Sequence, residues 1–293
     1  VVYRSQVQGK EKTMDRLSAV ALAAVLIALL AADASCSSRG NPWTVVKVRE
    51  RRSGEIPFEE SSGYLRPSSS RNYVPGPDSL IARVDTDTKG RPHILIERLG
   101  TGQADTLFGG WASLPQWSPD GRFISCVAWK SRLNPYQLTV VNVATKSVVL
   151  ESSVKANGTE SKWSPDSRTI VAAGVSRGSS WVVLYTVGVP SGKTAVLDSV
   201  NVLVAHDMSW SPDSRWVAFS RPTELDRYEN VAASDLWIAD VLRGRAWPLL
   251  ETSEWIESNP QWITNRSIQV DRRSKGDDAV EKTVVVELRN AED

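Results

Sequence analysis

The octapeptide Trp163-Ser164-Pro165-Asp166-Ser167-Arg168-Thr169-Ile170 occurs twice more in nearly the same form, as Trp117-Ser118-Pro119-Asp120-Gly121-Arg122-Phe123-Ile124 and as Trp210-Ser211-Pro212-Asp213-Ser214-Arg215-Trp216-Val217. Two weaker copies flank these three. Pro77-Asp78-Ser79-Leu80-Ile81 lacks the Trp, and Trp262-Ile263-Thr264-Asn265-Arg266-Ser267-Ile268 lacks the Pro-Asp. With position 75 taken as the missing Trp, the units start at 75, 117, 163, 210 and 262, at intervals of 42, 46, 47 and 52 residues. Self-similarity at a fixed period of this length is the mark of a repeat architecture, in which each unit buries its apolar face only against its neighbours.

Each unit reads as a run of short strands. The Pro-Asp-Gly/Ser element is turn chemistry, because Pro sets φ and Asp accepts a local backbone hydrogen bond. The segment ending in Trp forms a strand before the turn. A β-rich run follows it, at Phe123 to Trp129, Thr169 to Val175 or Trp216 to Ser220. A second run comes next, at Gln137 to Val143, Trp181 to Val187 or Leu236 to Val241, and then a shorter one such as Lys193 to Leu197 or Ala246 to Leu250. Four antiparallel strands per period describe a propeller blade, so the chain is expected to be all-β, a β-propeller of four-stranded antiparallel blades. A strand pair at Thr44 to Arg51 and Ile56 to Glu59 precedes the first unit, and the last unit, ending at Thr283 to Leu288, has no outer strand of its own. The choice is between five and six blades, and a count of about 21 strands is nearer five. Pairing of the N-terminal strands with the final blade would close the ring and remove two exposed edges. Trp117, Trp163, Trp210 and Trp262 then pack blade against blade, which accounts for part of an unusual total of twelve Trp.

These units resemble the WD40-like (PD40) repeat of TolB-type β-propellers. The resemblance covers about residues 70 to 275 and extends to the propeller part alone, because about 35 residues between Cys36 and the first repeat leave no room for the α/β domain that TolB proper carries. It implies a non-enzymatic cell-envelope protein that binds a protein or peptide partner.

The rest of the composition is ordinary: 35 basic against 34 acidic side chains and 41% hydrophobic residues. A formal charge of +1 gives no electrostatic reason to expect a nucleic-acid partner. Two Cys and two His supply neither a disulfide framework nor a structural zinc site, and no cofactor or metal is expected. The apolar run Leu17 to Ala32 follows Arg16 and is shorter than a bilayer span, which suits a signal peptide. Ala32-Asp33-Ala34 fits cleavage to a soluble exported protein. Asp33-Ala34-Ser35-Cys36 resembles a lipobox, with Cys36 as lipidation site and a departure at Asp33. The expected division is 1–35 for upstream residues and signal peptide, 36–43 for a tether, and 44–293 for one propeller domain. The location is the bacterial envelope, periplasmic or at the outer membrane, with contact to lipid only through a modified Cys36; secretion as a soluble protein is the alternative.

Four features bear on chemistry. Gly174-Val175-Ser176-Arg177-Gly178 matches the pattern of a serine nucleophile, but a strand rather than a helix follows it, so a loop between strands is the better reading. Asp85-Thr86-Asp87-Thr88-Lys89-Gly90 has the oxygens of a calcium loop without the bidentate Glu at the twelfth position, and reads as a β-turn. The first strand of each blade is expected to line a central channel, which nominates Arg71, Asn72, Glu160, Lys162, His206, Asp207, Glu257 and Asn259. Of these, His206 beside Asp207 is the pair most capable of proton transfer. Cys126, in an apolar run, reads as a buried free thiol. No catalytic set is assigned. The alternative to a binding protein is a propeller enzyme, a hydrolase or lyase acting on a peptide or glycan through the channel residues.

Overall fold

The structure, a computed structural model, describes residues 41–58, 73–129, 136–175, 182–200, 207–227, 231–275 and 280–291. Trp43–Asp293 is one compact unit. Its sheets are all antiparallel. Blade 1 is β2 (Tyr73–Pro75), β3 (Leu80–Thr86), β4 (Pro92–Arg98) and β5 (Gln103–Phe108). Blade 2 is β6 (Trp111–Trp117), β7 (Phe123–Trp129), β8 (Gln137–Asn142) and the first part of β9 (Val148–Trp163). Blade 3 takes the remainder of β9, then β10 (Thr169–Val175), β11 (Val182–Gly188) and β12 (Thr194–Val200). Blade 4 is β13 (Met208–Trp210), β14 (Trp216–Leu225), β15 (Val231–Asp240) and β16 (Arg245–Leu250). Blade 5 is β17 (Trp255–Thr264), β18 (Ser267–Ser274), β19 (Glu281–Asn290) and, at its outer edge, β1 (Trp43–Glu50).

Five four-stranded blades therefore settle the blade number. Two features disguise it. The long β9 pairs with β8 through Lys155 and with β10 from Lys155 onward, so it serves two blades without a break. The outer strand missing from the last repeat is β1, paired from Trp43↔Asn290 to Glu50↔Val284. The second strand expected at Ile56 to Glu59 is not one: residues 55–57 carry no strand, and Glu59 lies outside the described residues. Arg49 fastens the junction instead. Its Nε donates to Glu287 at 2.6 Å on β19, while Nη1 donates to Glu55 at 2.9 Å. Hydrogen bonds from Arg49 hold the Glu55 carboxyl down at about 2.

The buried residues form four clusters, each spanning two consecutive blades, and each contains one motif Trp: Trp117 between blades 1 and 2, Trp163 between 2 and 3, Trp210 between 3 and 4, and Trp262 between 4 and 5. The alternation of each strand directs one set of side chains to each neighbouring blade, which is why β7 and β11 are buried on both faces. Trp43, from β1, lies edge-on to Trp216 at 5.3 Å and to Trp262 at 6.4 Å, so the N-terminal strand also completes the last inter-blade core.

Candidate functional site

Each sheet has two ends. At one, the first strand ends and the motif turn begins. The Ser of each motif donates to its Asp and accepts from the backbone five residues on: Ser164 Oγ reaches Asp166 Oδ1 at 2.6 Å and receives Thr169 N–H at 2.9 Å. The same pair of bonds recurs at Ser118 and Ser211. A turn residue then reaches the preceding blade, the one after Asp in two units and Asn265, at the Asp position, in the last. Ser167 Oγ accepts from Asp120 N–H at 3.0 Å, Ser214 Oγ from Asp166 N–H at 3.0 Å, and Asn265 Oδ1 from Asp213 N–H at 3.1 Å. The motif indoles do likewise: Trp117 donates to Val74 O, Trp163 to Gln116 O and Ser125 Oγ, and Trp210 to Lys162 O. This end is a hydrogen-bonded belt running from blade 1 to blade 5, in which Trp262 Nε1 is the motif indole without a partner among the described residues.

At the other end, where first strands start, nothing repeats. β14 and β15 run to ten residues, beyond the length of the equivalent strands in blades 1 to 3, and β19 of blade 5 matches them. Their extension and the adjacent ends of β17, β18 and β19 enclose a cleft of about 850 Å³ between blades 4 and 5. Its walls include Asp207, Pro222, Val231, Ile256, Asp271, Arg273 and Lys282. A second cavity of about 580 Å³ shares Val231, Ile256 and Arg273 with it.

Asn259 organises the inner wall. It has φ +50, a left-handed conformation that Asn tolerates better than most residues. From there its N–H donates to Asp207 Oδ2 at 3.0 Å and its Nδ2 to Asp271 Oδ2 at 2.7 Å. Gln261 Nε2 supports Asn259 Oδ1 at 2.9 Å, and Thr283 Oγ1 donates to Asp271 Oδ1 at 2.8 Å. Glu257, Arg272 and Lys282 stand directly opposite one another across β17, β18 and β19, on the sheet face away from Asp271 and Arg273. The Glu257 carboxylate is fully buried; its Oε1 accepts from Arg272 Nη2 at 2.8 Å and Thr252 Oγ1 at 2.8 Å, while Oε2 has no partner. Burial pushes the Glu257 carboxyl above its ordinary value, against the pull of Arg272 and Thr252, and the nearby Asp235 adds to the rise. Burial raises Asp235 as well, opposed by Thr252 N–H, Lys275 and Arg221. Trp255 carries Lys282 at 4.2 Å and Arg272 at 5.6 Å over its ring.

Of the residues expected along a channel, the structure brings Asp207, Glu257 and Asn259 together here. Lys162 is apart from them, with Nζ donating to Met208 O at 2.5 Å across the boundary of blades 3 and 4. Arg71, Asn72 and His206 lie outside the described residues, as does Cys36, and Glu160 is described by its backbone alone. Ser176 also lies outside them. Asp85 and Thr86 end β3 and residues 87–90 turn the chain into β4: Asp87 Oδ1 accepts from Lys89 N–H and Arg91 N–H, and these bonds with the Arg91 guanidinium hold it at about 2. Cys126 is a buried thiol that burial pushes up to about 12. Asp271, Arg272, Arg273 and Lys282 escaped the sequence reading because they belong to the second and third strands of a blade, and no spacing ties them to Asp207. Trp255 carried the one available signal, a Trp off the motif position. Trp111 and Trp129, also off it, are half-buried at this same end, while Trp43 and Trp247 are core.

No protein-family model matches the chain, and no curated protein matches it in sequence. Solved structures do. An oligogalacturonate lyase from Vibrio parahaemolyticus aligns with a TM-score of 0.53 at 12% identity, over 73% of this chain and 65% of that one. The β-propeller domain of the Trilobed protease from Pyrococcus furiosus aligns with a TM-score of 0.52 at 17% identity, over 73% and 66%. TolB from Acinetobacter baumannii is similar at 20% identity with a TM-score of 0.45, over 75% of this chain and 55% of TolB. The chain thus spans between about half and two thirds of these proteins. At such identities the first two similarities carry the β-propeller fold and nothing further.

Proposed function

We propose that the chain is a non-enzymatic cell-envelope β-propeller that holds a protein or peptide partner in the cleft between blades 4 and 5. The observation that carries this is the way the cleft uses its ionisable groups. Asp207 and Asp271 act as acceptors that fix Asn259 and Thr283, and Glu257 is buried against Arg272. The cleft is a preorganised wall, with apolar Pro222, Val231 and Ile256 beside charged groups, and this mixture suits a polypeptide surface.

The export reading rests on Leu17 to Ala32 and Cys36, with residues 36–43 as tether and 44–293 as the propeller. Metabolic labelling with a radioactive fatty acid tests this: label lost in Cys36→Ser supports the anchor, and label absent from the unaltered protein refutes it.

The partner reading is tested by capture from envelope extract. A polypeptide retained by the unaltered protein should be lost with Arg273→Glu and kept with Leu242→Ser, a fully surface change at the motif-turn end. Capture that ignores Arg273→Glu would sink the reading. A second reading, a hydrolase or lyase acting on a peptide or glycan, draws on Asp207 and Asp271 facing one cavity. Turnover of pooled peptide or glycan substrates that disappears in Asp207→Ala would favour it.

A further inference from the structure

The five boundaries of the ring are not filled alike. Among the described residues, the four apolar clusters occupy four boundaries, and none spans blades 5 and 1. The repeat explains the difference. Trp117, Trp163, Trp210 and Trp262 stand directly across from Ile124, Ile170, Val217 and Ile268, and each packs toward the preceding blade. In blade 1 the same place, directly across from Ile81, is held by Pro75. The boundary with blade 5 therefore receives no motif indole, neither its bulk nor its N–H. The effect shows on the blade 5 side. Ser125, one residue past the partner of Trp117, accepts from the indole of the next blade, Trp163, at 3.0 Å. Gln269, one residue past the partner of Trp262, is its counterpart; it is 5% exposed, and its Oε1 has no donor. A buried amide oxygen without a donor weakens the closure that buries it.

The rest of the two faces is mostly polar. Strand alternation sets Gln269, Asp271, Thr283, Val285 and Arg49 on the blade 5 face away from Trp262. It sets Ile81, Arg83, Leu95 and Glu97 on the blade 1 face away from blade 2. Of these, Val285 and Ile81 are the buried apolar residues, and neither joins a cluster. The charged groups are satisfied inside their own blades. Arg49 pairs with Glu287 at 2.6 Å, and Arg83 with Asp85 at 2.8 Å and Glu97 at 2.9 Å. Asp271 takes its donors from Asn259 and Thr283. Separating the blades breaks none of these bonds, and the pairing of β1 with β19 lies wholly within blade 5. From this we propose that the ring opens at the boundary of blades 5 and 1, the two blades parting as intact sheets. Parting there exposes the first strands from the side. The inference stands independently of the partner reading above.

The test reads thiol labelling of the full chain under native conditions, resolved site by site by mass spectrometry. Cys126, buried in the core between blades 1 and 2, is a built-in reference, and Val217→Cys adds a second between blades 3 and 4. Val285→Cys, at a fully buried site on blade 5, is expected to label about a hundredfold faster than either reference, because it needs only this boundary to part. Ile81→Cys, on the blade 1 face, should label fast as well. Gln269→Leu removes the orphan oxygen with little change in volume and should slow labelling at both sites about tenfold. Its effect at residue 81, on the other blade, is one that local exposure of that residue would not produce. Protection of Val285→Cys equal to that of Cys126, equally rapid labelling at all four sites, or an Ile81→Cys rate indifferent to Gln269→Leu would overturn the inference.

Discussion

The motif-turn end and the cleft end of the sheets are built from the same strands and obey different rules. At the motif-turn end, the Ser-Asp bond and the indole bond recur in blades 2, 3 and 4, and a Ser or Asn bridge reaches each preceding blade from blades 3, 4 and 5. At the cleft end, strand lengths, residue types and hydrogen-bond partners are particular to blades 4 and 5. Repetition serves stacking, where every boundary poses the same packing problem. A surface that occurs once is built from residues that escape the repeat.

Seven substitutions, in five tests, probe this contrast in falling order of effect. Trp163→Ala removes the largest side chain of the core between blades 2 and 3 together with the indole bonds to Gln116 and Ser125, and should cost about 3–5 kcal/mol in denaturant unfolding. An unchanged midpoint would mean that the belt does not hold the blades. At the cleft end, Arg272→Met strands the Glu257 carboxylate and should cost about 3 kcal/mol at neutral pH. That loss should shrink at acid pH. The folded Glu257 carboxyl is already raised by burial above its ordinary 4.5, so the folded state holds the proton more tightly than the unfolded one. Stability from this group is greatest below 4.5 and falls as pH rises through the raised value. Unfolding of the variant at pH 7.5 and 5.5 reads this directly, and a deficit independent of pH would place the penalty elsewhere than on the carboxylate.

Gly121→Ser imports the residue used by the next two repeats, yet a Cβ there would lie 2.4 Å from Cγ of Pro77, so a loss of about 1–3 kcal/mol is expected where repeat consensus predicts a gain. Ser167→Ala keeps the left-handed φ of +60 and removes the acceptor of Asp120 N–H, at about 1 kcal/mol. Ser167→Gly loses the same bond but relieves the backbone, so it should come out near neutral in the same assay. Last, Trp210→Phe should cost about 1 kcal/mol more than Trp262→Phe, because Trp210 Nε1 bonds Lys162 O while Trp262 Nε1 is buried without a partner. Equal costs would show that the indole bonds contribute nothing to the belt.

The legibility of the two ends differs for a physical reason. Trp117, Trp163, Trp210 and Trp262 were readable because a period leaves the same residue at the same place, and each occupies its own inter-blade core. The turns at Asp85 to Gly90 and at each Pro-Asp were readable because their hydrogen bonds close within a few residues. Asp207, Glu257 and Asn259 were nominated by position in the first strands, but the grouping that gives them meaning needs Asp271, Arg272 and Thr283 from other strands. The N-terminal pair of strands was misjudged at Ile56 to Glu59, where Glu55 turns back to grip Arg49 instead of extending.

The amino-acid sequence by itself determined the strand pattern, the period, the turns and the Trp that packs each boundary, because local hydrogen bonds and nearest-neighbour stacking are encoded within a single repeat. Tertiary structure decided how many blades result and what lies between two of them. β9 bridging two blades and β1 joining β19 are long-range pairings that no window of one repeat contains. The cleft likewise depends on residues from five strands and a loop meeting in space. The buried Glu257, held between Thr252 and Arg272, exists only once these elements meet.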